Sequence, residues 1–309
     1  MTMKWSPDYN PPAQGHLIYT IDTTTGGATP SNVDFNLRSI GTVDYRVVWE
    51  TSVEETSTSN TLLHTYGSAG TYDVQVFPTG TYQPFFSNVT ADVDQIIKVS
   101  VGGGVDLGTN LANAWLGANN MTEFECNFSA TSSVTSFNYT WRDCVNLTTF
   151  PLIDTSSGTD FTIAWYNCNS LTSFPQIDTS SGTIFTNTWR NCTSLTSFPL
   201  IDISSGTNFS RAWQACISLT SFPANFFDSW TGTPANNCFV STWLNCFSLT
   251  ATSVENILNS IDTSGQSAPA SGVDITIDYD AASGTPNITT AVSNLKSRGW
   301  TITLNGVAQ

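Results

Sequence analysis

The sequence predicts a β-rich chain of the α+β class in three parts. These are an N-terminal β-sandwich, a solenoid with coils of 24 residues, and a small β-α-β cap at the C-terminus. Three observations predict it. Residues 15–101 hold a series of strand-like runs separated by turn residues. A tryptophan and a cysteine then recur at a fixed 24-residue step, and a period in that range signals stacked structural units. Residues 265–309 read as strand, helix, strand.

Residues 1–14, with Trp5 and Pro11-Pro12, read as an extended arm. They lack the apolar run of a secretory leader, so no signal peptide is expected. The sandwich is assigned to 15–104. Its strand-like runs are HLIYTIDT, VDFNLRS, VDYRVVWE, TLLHTYG, TYDVQVFP and DQIIKVSV. Gly102, Gly103 and Gly104 read as a flexible junction.

The solenoid is assigned to 105–264. Trp141, Trp165, Trp189 and Trp213 are each followed three residues later by Cys144, Cys168, Cys192 and Cys216. Leu147, Leu171, Leu195 and Leu219 keep the same step, as do Phe150, Phe174, Phe198 and Phe222, each before a proline. The outer copies are degenerate. Trp115 has Ala118 in place of the cysteine, while Trp243 and Cys246 come after an insertion within NFFDSWTGTPANNC. Phe209, Trp213 and Cys216, at i, i+4 and i+7, predict a short helix with Thr207 as its N-cap. Leu219 to Phe222 predicts a short strand stopped by Pro223, and IDTSSGT a tight turn. Val254 to Ile261 predicts an amphipathic helix over the open end of the core. The cap, 265–309, holds a loop, the strand VDITIDY, a helix near Ile288 to Ser297 and the strand WTITLNG.

Charged residues make up 11% of the chain, yet the net charge is −15. Such a surface repels nucleic acid, and solubility falls to Ser, Thr and Asn. No apolar run is long enough to predict a membrane span.

The ladder Trp141, Trp165, Trp189, Trp213 and Trp243, with Cys144, Cys168, Cys192, Cys216 and Cys246, is read as structural core. An exposed aromatic strip for stacking on sugars is the alternative for the indoles. The thiols are read as reduced core filler, with disulfides between neighbouring coils or metal binding as alternatives. Asp154, Asp178 and Asp202 recur in the Ile-Asp-x-Ser-Ser-Gly turn. They are read as turn-forming carboxylates, with a calcium ladder as the weaker candidate. Tyr139, Arg142, Tyr166, Arg190, Arg211 and Gln214 stand where the repeat tolerates change, and they are the candidate ligand contacts. His16 and His64 suggest no catalytic pairing. Glu50, Glu54 and Glu55 read as exposed charge rather than a glycosidase pair. No cofactor and no enzyme activity are expected.

The unit NCTSLTSFPLIDISSGTNFSRAW (191–213) resembles the BspA-type leucine-rich-repeat surface proteins, although that family usually has Met-Phe where this chain has Ala-Trp or Thr-Trp. LLHTYGSAGTYDVQV (62–76) resembles the end of a polycystic-kidney-disease-type immunoglobulin-like domain, whose Trp-Gly-Asp-Gly turn is replaced here by VVWETSVEET. SVENILNSIDTSG and LKSRGWTITLNG are similar to the C-termini of repeat proteins encoded by tailed bacteriophages. Together these resemblances imply a leucine-rich solenoid behind an immunoglobulin-like sandwich, in a non-enzymatic virion protein assembled in the host cytoplasm. The leading expectation is attachment to a host-surface glycan or protein, in the manner of a tail fibre or tip. The arm or sandwich would hold other virion proteins. A capsid decoration or cement protein and a secreted bacterial adhesin are the alternatives, and self-association stays open.

Overall fold

The computed structural model describes residues 15–24, 34–41, 44–86 and 92–309. The expected arm at 1–14 lies outside the described residues. Within them the chain is β-rich. The strands are β1 (Leu17–Asp22), β2 (Asp34–Ile40), β3 (Tyr45–Glu50), β4 (Val53–Ser57), β5 (Thr61–Thr65), β6 (Thr71–Pro78), β7 (Gln83–Pro84), β8 (Ile96–Val101), β9 (Glu123–Cys126), β10 (Val273–Ile277), β11 (Trp300–Leu304) and β12 (Val307–Ala308). The α-helices are α1 (Ala251–Thr263) and α2 (Thr289–Ser297).

A six-stranded sheet runs β4-β3-β6-β1-β8-β9, and a three-stranded sheet runs β5-β2-β7. Leu17, Tyr19 and Ile21 of β1 alternate inward, as do Tyr45, Val47 and Trp49 of β3. Tyr19 meets Phe35 of β2 at 6.4 Å and Phe86 at 5.4 Å, so the two sheets share one core. In the C-terminal part β10 and β11 pair in parallel, with α2 between them in the chain. A bridge from Trp243 to Ile277, with hydrogen bonds from the Asn245 amide to Asp278 Oδ2 and from the Asp280 amide to the Leu249 carbonyl, links this part to the last repeat.

The β-rich character is the part of the expected fold class that holds. No sheet forms a leucine-rich solenoid: residues 132–250, all described, contain neither helix nor strand. Neighbouring repeats meet through turns and single-residue bridges, such as Ser136 with Asp160 and Asp160 with Ile184. The immunoglobulin-like sandwich ending at 104 is corrected too. β9 lies inside the repeat region, yet it completes the large sheet by pairing in parallel with β8. Nor are the three glycines a free junction. The Gly102 N–H donates to the His16 carbonyl at 2.9 Å, and a Cβ on Gly15 would lie 2.3 Å from the Val105 nitrogen.

The backbone explains why the expected helix fails. A helix needs negative φ at every residue. Here the residues two before and two after each tryptophan have positive φ: 60° at Ile163 and 64° at Asn167 around Trp165, 55° at Asn187 and 61° at Asn191 around Trp189. The Ala164 N–H donates to the Phe161 carbonyl, and the Cys168 N–H to the Trp165 carbonyl. Positive φ at the third residue of such a turn, with none at the second, is type II geometry. Asn and Gly tolerate that region best, and Gly117, Asn167, Asn191 and Asn245 all stand two after a tryptophan.

The alternate amides point to the next repeat. Phe161, Ile163, Trp165 and Asn167 donate to the carbonyls of Ile184, Thr186, Thr188 and Arg190 at 2.8–2.9 Å. The turns and this ladder together pair backbone groups that no regular element covers. Threonines add a second ladder: the hydroxyls of Thr159, Thr183 and Thr207 donate to the carbonyls of Thr135, Thr159 and Thr183. A chain poor in charge thus joins its repeats with neutral hydrogen bonds.

Candidate functional site

From Trp141 to Trp243 each repeat sends its tryptophan inward, while the residues two before and one after it are partly or fully exposed. Trp141, Trp165, Trp189, Trp213 and Trp243 are fully buried, as are Cys144, Cys168, Cys192, Cys216 and Cys246. The indoles stack ring on ring at 5.2–6.0 Å from Trp141 to Trp243. They offer no face to a sugar. Each ladder thiol donates to a tryptophan carbonyl in the preceding repeat, for example Cys192 Sγ to Trp165 O at 3.2 Å. Burial pushes these thiols up from their ordinary value, and all seven cysteines are free.

The aspartate ladder is taken up by its own turns. Asp154 Oδ1 accepts from the Ser156 amide and hydroxyl, and Asp178 Oδ1 does the same with Ser180. Asp202 Oδ1 accepts from the Ser204 amide. The Ser180 amide, then its hydroxyl, hold the Asp178 carboxyl below the usual range. Among the described residues no group of three or more His, Cys, Asp or Glu is placed to hold a metal ion.

The candidate contacts do come together. The positions two before and one after each tryptophan form two neighbouring columns on one face. Arg142 lies over the rings of Tyr139 and Tyr166, and Arg190 over Tyr166, each at 5.5 Å. Tyr139, Arg142, Tyr166 and Arg190 therefore form an alternating aromatic and cationic stripe across three repeats. Arg211 and Gln214 continue the two columns in the fourth repeat, with Arg211 exposed. The Asn191 N–H donates to the Gln214 carbonyl at 2.9 Å, which sets Gln214 against the turn that carries Arg190.

No protein-family model, no curated protein and no solved structure matches this chain.

The chemistry of the face rests on its own atoms. A shallow depression of about 210 Å³ opens on it, lined by Arg142, Ile163, Tyr166, Asn187 and Arg190. Ile163 and Asn187 were not among the expected contacts. The signal was available, since they occupy the same column as Tyr139 and Arg211. Arg142 pairs with Asp143 at 3.0 Å. Arg190 Nη1 donates to Asn187 Oδ1 at 3.3 Å. Neither Arg190 nor Arg211 has a carboxylate partner among the described residues.

Elsewhere the polar clusters are structural. His64 stacks on Trp49 at 4.8 Å and lies 3.6 Å from Glu50. Glu54 pairs with Arg46, and Glu55 accepts from the Trp49 indole. These contacts tie β3, β4 and β5 together.

Proposed function

We propose that this chain is a non-enzymatic structural protein of a bacteriophage virion, of tail-fibre or tip type, and that its repeats present a contact face to the host surface. The observation that carries this reading is the stripe Tyr139–Arg142–Tyr166–Arg190 with Arg211 and Gln214 beside it. Layers joined by hydrogen bonds and stacked indoles hold such side chains at a fixed spacing, so many weak contacts form together without the entropy cost of ordering a loop. The variable residues sit outside while the repeated residues fill the core, which lets a contact face change without disturbing the packing. The C-terminal resemblance to phage repeat proteins supports a virion setting, with other virion proteins held through residues 1–14 or the N-terminal sheets. No helix among the described residues is long and apolar enough to cross a membrane.

Two measurements test the reading. Antibody against the chain labels the fibre ends of intact particles; label spread over the capsid would instead mean a decoration protein. The purified chain binds host cells and blocks phage adsorption, and the attachment reading fails if it does neither.

A further inference from the structure

We infer that the stripe takes an acidic glycan, with its sugar carboxylates on Arg190 and Arg211. This rests on the attachment reading and names the ligand class of the same face.

The argument starts from charge. The chain carries −15 overall and only nine lysines and arginines, of which Arg142, Arg190 and Arg211 lie on this one face. Arg142 is neutralised by Asp143, and among the described residues Arg190 and Arg211 have no such partner. Beyond roughly 8 Å physiological salt screens the rest of the surface, so a ligand at the face meets cations despite the net charge. An arginine offers a planar fork that matches a carboxylate.

Unpaired polar atoms point the same way. Arg190 Nε, a donor, and Gln214 Oε1, an acceptor, are both covered and without a hydrogen-bond partner. Leaving such groups unpaired is unfavourable, so a ligand that draws the two side chains outward gains by supplying what they lack. A carboxylate supplies the acceptor and a sugar hydroxyl the donor. Tyr166 carries the guanidiniums of both Arg142 and Arg190 over its ring and so holds the two arginines at the face. An unpaired donor and an unpaired acceptor on neighbouring repeats, beside arginines without a carboxylate partner, fit an acidic sugar better than the alternatives. A neutral glycan leaves both arginines without counter-charge. A nucleic acid brings a phosphate on every unit against a strongly acidic protein. The depression, about 210 Å³, is smaller than the roughly 300–1,000 Å³ clefts that enclose drug-sized ligands. One sugar therefore sits on each site while the polymer runs along the stripe.

The test uses the full chain and calorimetric titration with sialyllactose against lactose, and with oligogalacturonate against its carboxyl-reduced form. The acidic member of a pair binds, its neutral counterpart at least about tenfold more weakly. Arg190→Gln and Arg211→Gln each weaken binding of the acidic probe by about tenfold or more while circular dichroism stays unchanged. Tyr166→Ala removes the ring that Arg142 and Arg190 lie over and weakens binding of the acidic probe. Equal binding of acidic and neutral probes, or binding untouched by both arginine changes, overturns the inference. If no probe binds but the chain still adheres to host cells, the acidic-glycan inference falls and the attachment reading stands. If adhesion is also absent, both fall.

Discussion

Trp165 and Trp189 lie ring over ring, 6.0 Å apart and 1° from parallel, with Phe174 and Phe198 standing edge-on against them. The indole nitrogens of both are buried without a hydrogen-bond partner, whereas those of Trp230 and Trp300 donate to carbonyls. The stack thus combines large apolar burial with unsatisfied donors, and the two effects separate by mutation. Trp189→Ala leaves a cavity and destabilises by about 3–5 kcal/mol. Trp189→Phe keeps most of the ring and removes an orphan donor whose burial is unfavourable by about 1–3 kcal/mol, so its net cost is under about 2 kcal/mol. Urea unfolding followed by circular dichroism measures both. Equal losses would show that the indole nitrogen is not a liability.

The turns below the stack depend on glycine for space. A Cβ on Gly182 would lie 2.4 Å from Phe185 Cζ and 2.9 Å from the Thr179 carbonyl oxygen, while one on Gly80 meets nothing within 4 Å. Phe185 cannot retreat, because it is sandwiched between Phe161 and Phe209 at 5.4 Å on either side. Gly182→Ala is expected to lower stability by about 1–3 kcal/mol, and Gly80→Ala to leave it within about 0.5 kcal/mol. Thermal melts of the two variants beside the parent decide the matter.

Ile163 carries the opposite strain. It holds φ at 60°, a region that β-branched residues avoid, in a column where Asn113 and Asn187 hold 62° and 55°. Ile163→Asn should relieve part of a penalty of about 1–2 kcal/mol and raise stability by roughly 0.5–1 kcal/mol. A lower unfolding midpoint would mean that the isoleucine side chain contributes more through packing than its backbone costs.

The N-terminal strands were legible because alternation was strong. The run HLIYTIDT contains β1, VDYRVVWE contains β3, and TYDVQVFP contains β6. β4, VEETS, escaped because none of its five residues is buried, so no alternation marked it. The coil geometry was misread for a different reason. Phe, Trp and Cys at i, i+4 and i+7 fit a helix face, but successive type II turns advance the chain so that the same residues face inward. The residue two after the tryptophan was the clue, being Gly117, Asp143, Asn167, Asn191 and Asn245 in five copies. Ala215 breaks the rule at φ 61°. Periodicity alone reports which residues share an interior, whereas φ preference reports how the chain gets them there. The stripe was partly readable, since its residues vary where the ladder does not. Its cation–aromatic alternation depends on which columns adjoin, and spacing did not reveal that.

The thiols give the last prediction, because their reactivity reads out the packing directly. Alkylation requires the thiolate. Burial pushes Cys126 and Cys238 up to about 12, and raises Cys144, Cys168, Cys192, Cys216 and Cys246 as well. Cys126 is the only one of the seven that is not fully buried. In native protein near pH 8, iodoacetamide should therefore modify Cys126 first and slowly, and leave the ladder untouched until repeats open. In denaturant without reductant all seven should react, because all seven are free thiols. Mass spectrometry of the timed reactions counts the adducts. Fewer than seven adducts in denaturant would reveal a disulfide, and ladder labelling at the native Cys126 rate would mean that the interior admits water and reagent between repeats. Reaction of the ladder as one cooperative group, after Cys126, is the behaviour that an interior stacked from Trp115 to Trp243 demands.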